Sequence, residues 1–222
     1  MLTHLSALDR VVRLHGDRPA IIDREHNFTW SEHIDRVSRV AGFLSDLGVR
    51  PGDRFGIICE NAFRYTELLH AGYWGGAIPV PINHRLALPE ILHILEDAEC
   101  KILALGKDFL SLLDAEEILP WRDKCFYIGP NKESVRQPQY EQLLSTTEVA
   151  EQHPADETDL ALLLYTGGTT GRSKGVQLSH RNIVANGMQM AIAMRADKTD
   201  TYLHAAPMFH AADLLCTAFT LT

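Results

Sequence analysis

Residues 166–175 read TGGTTGRSKG: four glycines, three threonines, one serine and two basic side chains in ten positions. Glycine lets a main chain approach a ligand closely, and successive N–H groups can close into a concave anion nest. Thr166, Thr169, Thr170 and Ser173 add hydroxyl donors, and Arg172 and Lys174 add positive charge. Amides, alcohols and cations gathered in one loop are the donor set for a polyphosphate. The flanks show that the loop is held: the apolar run 160–164 precedes it, and Val176-Gln177-Leu178, which reads as extended, follows it. A flexible glycine–serine linker would instead join polar regions. The pattern also differs from the nucleotide loop G-x-x-x-x-G-K-[ST], because Lys174 is followed by Gly175 and not by a hydroxyl residue. A loop of that other class, as in kinases and NTPases, is therefore disfavoured.

Other residues with chemical potential read as scaffold. His204 falls in an apparent strand, TYLHAA, and reads as structural; His180 follows Ser179, a candidate helix cap. Met188, Met190 and Met194 share a helix with Ile183 and Gly187 and read as a core stripe. Glu116, Glu117, Asp156, Glu157 and Asp159 lie in polar stretches, where a solvated face outweighs acid–base pairing. Arg85, in INHRL, reads as structural, and the other eight of the 11 histidines are scattered, as solvated or core residues would be.

The elements that must position the loop alternate between strand and helix. Leu2, Leu5, Leu8 and Val12 recur at helical spacing, and PAIID and FTW flank turn residues as a small hairpin would. Thr29 and Glu32 have capping-box spacing ahead of the stripe Ile34, Val37, Val40, Ala41, Leu44 and Leu47, and Gly48 suits a helix C-cap. RFGIIC, AIPVPI, CKILAL and KCFYIG read as strands; PEILHILEDAE and DFLSLLDAEEIL read as helices. Asn61 is a candidate cap for a helix ending near Gly75-Gly76, and Ser179 for one running to Met194. This order predicts an α/β fold, doubly wound, with a largely parallel sheet and flanking helices. The polar stretch 131–158 is the candidate subdomain boundary, with a short helix, YEQLLS, inside it. The apolar close HAADLLCTAFTLT reads as a chain cut within a helix.

Composition narrows the function classes. The 222 residues are 45% apolar and 23% charged, with a net charge of -8 and no stripe of Lys or Arg. Nucleic-acid binding needs clustered positive charge, so it is disfavoured. No apolar stretch approaches the ~20 residues that span a bilayer. The four cysteines lack C-x-x-C spacing, which suits reduced thiols in a cytoplasmic setting.

YTGGTTGRSKGV resembles the signature of the AMP-forming acyl-CoA synthetases and related adenylate-forming enzymes, Tyr-Thr-Ser-Gly-Thr-Thr-Gly-x-Pro-Lys-Gly-Val. Two positions depart: Gly167 stands for serine and Ser173 for proline, costing one hydroxyl and some rigidity. FTWSEHIDRVSRVAGFLSDLGVRPGDRFGIICEN, GGAIPVPINHRLALPEILHILEDAECKIL and LHAAPMFH resemble further family segments in the same order. The resemblance implies that Thr166, Gly167, Gly168, Thr169, Thr170, Gly171 and Lys174 hold the β- and γ-phosphates of ATP, with Mg²⁺ on the phosphate oxygens and no metal ligand in this chain. It implies that His210 is the histidine beside the acyl carboxylate and α-phosphate, where an imidazole can donate to a developing anion. Phe209 and the helix beginning at Ala211 would border the acid.

The implied reaction joins ATP and a small carboxylic acid, fatty or aryl, to an acyl-adenylate, from which the CoA thiol displaces AMP. Residues 1–222 are expected to be the N-terminal part of an AMP-binding domain. The family's adenine and ribose groups and its small C-terminal domain come later, so this chain alone is expected to be inactive. The alternative is a non-catalytic nucleotide-binding or interaction module that retains the phosphate loop.

Overall fold

The structure, a computed structural model, describes residues 2–24, 26–167 and 172–222. Thr3 caps helix α1 (His4–His15) by accepting from the Ser6 N–H at 3.1 Å, and Leu5, Leu8 and Val11 bury one face. Strands β1 (Pro19–Asp23) and β2 (His26–Thr29) pair antiparallel as the expected hairpin. Thr29 then closes the expected capping box of α2 (Trp30–Asp46). Its hydroxyl accepts from the Glu32 N–H, and the Glu32 carboxylate accepts from the Thr29 N–H at 2.8 Å. Val37, Val40, Ala41 and Leu44 are buried along one stripe, and Gly48 beyond the helix sits at φ +92°, where a side chain would be strained.

Four strands form the central sheet: β3 (Arg54–Ile58), β4 (Ile78–Pro81), β5 (Cys100–Gly106) and β6 (Cys125–Ile128). Their order is β4-β3-β5-β6 and every pair is parallel. The connections carry α3 (Phe63–Gly75), α4 (Leu88–Asp97) and, after β6, α5 (Tyr140–Thr146). Period-two alternation makes two cores. Phe55, Ile57, Ile102, Ala104, Phe126 and Ile128 pack with α2, α3 and α5; Ile58, Leu103, Leu105 and Cys125 pack with α4. Each large apolar side chain so buried contributes about 1.5–3 kcal/mol. With helices on both faces the sheet is doubly wound, as expected. Pro79 and Pro81 lie in β4, at the edge of the hydrogen-bonded ladder, where a missing donor costs least.

β7 (Leu160–Thr166) runs beside β4 and joins both cores, with Leu162 and Leu164 on one side and Leu163 on the other. β8 (Lys174–Ser179) folds back on it antiparallel. Ser179 caps α6 (His180–Met194) together with Asn182, as its position predicts. A 3-10 segment, Ala211–Cys216, leads into α7 (Thr217–Leu221). The stretch 131–158 lies across the helices: Trp74 Nε1 donates to the Ala150 carbonyl at 2.9 Å, and the His153 N–H donates to the Trp74 carbonyl at 2.8 Å.

Four expectations are corrected. The stretch 108–119 is not one α-helix: a 3-10 helix, Lys107–Asp114, ends where Ala115 is extended, at ψ 147°, and a second begins at Leu119. Asn61 does not cap α3; the Asp23 carboxylate accepts from the Phe63 N–H at 3.1 Å instead. TYLHAA keeps a strand's alternation of exposed and half-buried side chains but has no partner strand among the described residues. Met188 and Met194 are each 46% exposed and Ile192 is 79% exposed, so the methionine stripe of α6 is not core. All four cysteines are free thiols, and Cys59, Cys100 and Cys125 are buried. Among the described residues, no helix is long and apolar enough to cross a membrane.

Candidate functional site

Thr166 pairs with Lys174 at the end of the β7–β8 stem. Gly168, Thr169, Thr170 and Gly171, expected to contribute phosphate contacts, lie outside the described residues. Thr166, Gly167, Arg172 and Lys174 are exposed. The stem is fixed on α4: the Tyr165 hydroxyl donates to the Asp97 carboxylate at 2.6 Å, and His93 Nε2 lies 3.3 Å from the Ser173 carbonyl. Burial, with Asp97 adding, pushes the Tyr165 hydroxyl up, so it stays a donor to Asp97. An apolar strand on one side and a helix on the other thus leave Thr166, Arg172 and Lys174 facing solvent.

The two glycines of the stem region differ in what they do. A Cβ at Gly175 would stand 3.1 Å from the Leu163 side chain and 3.2 Å from the Tyr165 ring, so the close strand approach needs a glycine there. A Cβ at Gly167 would meet nothing within 4 Å. Gly167→Ser, which introduces the hydroxyl usual at this motif position, is therefore expected to leave the thermal midpoint within about 2 °C of the parent, since surface changes cost within ~0.5 kcal/mol. A fall of several degrees in a melting curve would show that the position is constrained.

His210 sits on a turn closed by its own N–H donating to the Pro207 carbonyl at 2.9 Å. Its Nδ1 accepts from the Ala212 N–H at 3.1 Å. A neutral ring with Nδ1 accepting carries its proton on Nε2, and the residue is exposed, so Nε2–H is an available donor. The turn is tied to the sheet by Asn61, just past the carboxyl end of β3. Asn61 Nδ2 donates to the carbonyls of His204 at 2.8 Å and Ala206 at 2.7 Å, and the Met208 N–H donates to Asn61 Oδ1 at 2.8 Å. Phe209 meets the edge of His84, 5.0 Å between ring centres, and His84 stacks on Phe109. The carboxyl ends of parallel strands are where open α/β sheets place their ligands. Asn61 and His84 thus brace the segment that carries His210; the sequence reading gave Asn61 only as a helix cap and did not single out His84.

His204 is structural in part: its Nδ1 lies 2.8 Å from the Asp213 carboxylate, which is 3% exposed. It also borders a cavity of 530 Å³, lined by His33, His70, Tyr202 and Cys216 among others. His210 is not among the lining residues. Behind the cavity lies a set of histidines from four helices. His33 Nε2 and His70 Nδ1 are 2.8 Å apart, His4 stacks 5.0 Å from His70, and the His4 N–H reaches His180 Nδ1 at 3.4 Å. Burial holds all four imidazoles below the usual histidine range, His33 at about 3. The acidic residues of 156–159 serve turns, Asp156 accepting from the Thr158 N–H at 3.0 Å, and Glu116 and Glu117 are exposed. Arg85 is exposed, and its N–H donates to Asn83 Oδ1 at 3.0 Å.

A doubly wound parallel sheet followed by a glycine-rich hairpin and a histidine turn defines an adenylate-forming α/β fold. The profile of the AMP-binding enzyme family matches residues 8–222, and this chain belongs to that family. It is 30% identical over 219 residues to the medium-chain-fatty-acid–CoA ligase of Ectopseudomonas oleovorans, covering 92% of this chain and 40% of that protein. It is 34% identical over 189 residues to the feruloyl-CoA synthase of Amycolatopsis sp, covering 84% of this chain and 35% of that one. The crystal structure of a long-chain-fatty-acid–CoA ligase from Archaeoglobus fulgidus superposes with a TM-score of 0.84 at 26% identity, over 98% of this chain and 45% of that chain. The o-succinylbenzoate CoA synthetase of Bacillus subtilis, in complex with its acyl-adenylate intermediate, superposes at 0.80 with 25% identity, over 97% and 53% of the two chains. The chain thus spans about 40% of the length of the medium-chain ligase and of similar curated relatives.

Proposed function

We propose that this chain is the N-terminal part of an ATP-dependent acid–CoA ligase, acting on a fatty or aryl carboxylic acid in the cytoplasm. In that reading a carboxylate oxygen attacks the α-phosphorus of ATP, the bond to the bridging oxygen breaks, and pyrophosphate leaves. The CoA thiol then attacks the acyl carbon and AMP departs. The hairpin loop carries the reading. Its sequence offers hydroxyls and cations, and its described stem is docked to α4, which supports a role in holding β- and γ-phosphates while the α-phosphorus reacts. Thr166, Gly167, Gly168, Thr169, Thr170, Gly171 and Lys174 are assigned to the phosphates, and His210 Nε2–H to the acid carboxylate or α-phosphate oxygen.

The loop has no carboxylate between residues 166 and 175, so Mg²⁺ would arrive on the nucleotide's own oxygens and neutralise them there. Acid chain length is not assigned. The relatives' names range from fatty to aryl acids, and Phe209 and the segment from Ala211 are the residues that would border either.

Isothermal titration of the chain with Mg-ATP tests the loop. Binding is expected, and Lys174→Ala is expected to weaken it about tenfold or more, as loss of a charge-assisted contact of ~1.5–3 kcal/mol does. Equal affinity in the variant would remove the phosphate role. Acid-dependent pyrophosphate exchange is expected to be absent from these 222 residues alone; exchange by this chain would show that the later family groups are dispensable. Nucleotide binding by a longer form that never exchanges pyrophosphate would favour a binding module.

A further inference from the structure

We propose that His204, Asp213 and Cys216 form a zinc site whose fourth coordination position opens into the 530 Å³ cavity. A His204 ring nitrogen, an Asp213 carboxylate oxygen and the Cys216 sulfur all lie within 4.8 Å of one another. The local fold explains the convergence. Asp213 and Cys216 are three apart on the 3-10 segment Ala211–Cys216, and i and i+3 eclipse in a three-residue turn, so oxygen and sulfur share one side. His204 faces them from the preceding segment, whose carbonyls at 204 and 206 are pinned by Asn61.

The donor set matches zinc. Imidazole nitrogen at ~2.0 Å, carboxylate oxygen at ~2.0–2.2 Å and thiolate sulfur at ~2.3 Å give ligand atoms roughly 3.2–3.8 Å apart in a tetrahedron. His204 Nδ1 now stands 2.8 and 3.0 Å from the two Asp213 oxygens, so the pair would open slightly and the sulfur would swing in.

Two further observations support an ion. The Asp213 carboxylate is buried, and among the described residues its side-chain partners are His204 and, at 3.5 Å, the Tyr202 hydroxyl. A buried carboxylate favours a nearby positive charge, which zinc would supply. His204 and Cys216 line the cavity and Asp213 does not, so the acid backs the site and the open position faces the cavity. Three protein ligands with one open position is the pattern of zinc centres that take water or an anionic head group such as a carboxylate. On binding, the Cys216 thiol gives up its proton to solvent and the thiolate takes the metal. None of the three residues belongs to the phosphate loop or is His210, but Asp213 and Cys216 lie on the segment from Ala211 that would border the acid, so the test reads metal binding and not ligase activity.

Cobalt(II) titration of the purified chain is the test. One equivalent is expected to give a thiolate-to-cobalt charge-transfer band that zinc bleaches. The band should vanish in Cys216→Ser, persist in Cys125→Ala, and require about tenfold or more cobalt in His204→Gln, the loss typical when one metal-site partner goes. Absence of the band, or its survival in Cys216→Ser, overturns the proposal. A second measurement uses the unsubstituted chain and so does not depend on a variant's folding. Zinc is expected to slow iodoacetamide labelling of Cys216, read by mass spectrometry, about tenfold or more, with EDTA restoring it. An unchanged labelling rate overturns the site.

Discussion

Lowering the pH from 7 to about 5 is expected to remove folding stability through three buried imidazoles, about 2 kcal/mol of it through His33 alone, against the ~5–15 kcal/mol a domain holds. His4 and His70 are held well below the usual histidine range and His33 at about 3, in each case by burial first. Neighbouring positive charge adds: His70 and His180 face His4, Arg36 acts on His33, and His33 and His204 act on His70. In the unfolded chain each titrates near 6.5. Between that value and the folded value the unfolded state binds more protons, so stability is complete above about 6.5 and is lost as pH falls. For His33 this costs about 1.4 kcal/mol per pH unit there, or about 2 kcal/mol by pH 5, and His4 and His70 act in the same direction. Glu60 and Glu67, both shifted upward by burial, oppose the effect, because they take up protons in the folded state. Urea midpoints between pH 5 and 7 measure the slope. Among the described residues neither ring nitrogen of His4 has a partner, and the ring packs tilted against Tyr73, 4.7 Å between centres, so His4→Phe is expected to flatten it. A stability that does not change over this range would mean that these rings protonate in place.

The same histidines show what the sequence made legible and what it hid. His33 lies at i−4 from Val37 on the buried stripe of α2, so helical period alone could have marked it as core. Nothing local announces that it meets His70 and that His4 and His180 complete the set, since the contacts span separations of 37 and 176 residues. Elements with their own signals were legible: the capping box at Thr29, the positive-φ glycine at 48, and the parallel strands by their alternation. Elements that depend on a partner were not. TYLHAA alternates as a strand does, yet among the described residues no strand lies beside it, and Leu203 remains 79% exposed. The α6 stripe looked like core because periodicity reports that a face is apolar and not what covers it. Asn61 was read as a cap because position alone suggested it, whereas a partner 147 residues away decides its role. The glycine loop could be read as a candidate phosphate site because its residue types suggest a donor set without needing a distant neighbour.

Glu67→Ala is expected to destabilise the fold by about 3–5 kcal/mol, because it breaks a buried ion pair from one side. The Glu67 side chain is 0% exposed, and it accepts from Arg36 Nη2 at 3.1 Å and from the Tyr140 hydroxyl at 2.7 Å. Burial pushes its carboxyl up while Arg36 and Tyr140 hold it down, so the charge depends on these partners. Arg36 also reaches Glu141 at 3.2 Å, and Arg64 donates to Glu141 at 2.6 Å, so one network ties α2, α3 and α5 together. Arg36 stacks over Phe28, 4.8 Å from its ring centre, which keeps the guanidinium in place when a partner is lost. Glu141 is 23% exposed, so Glu141→Ala should cost less, about 1–2 kcal/mol, with water replacing part of the lost contact. Replacing both members, Arg36→Met with Glu67→Leu, should recover most of the single-variant loss, since no charge is then buried alone. Urea unfolding of the three variants at pH 7 reads these values. A Glu67→Ala cost below about 1 kcal/mol would mean that water reaches Arg36 and the pair is not truly buried. The consequence reaches the candidate site through α3. Its first turn follows Asn61, and Asn61 holds the segment that carries His210, so loosening the network should loosen that turn as well.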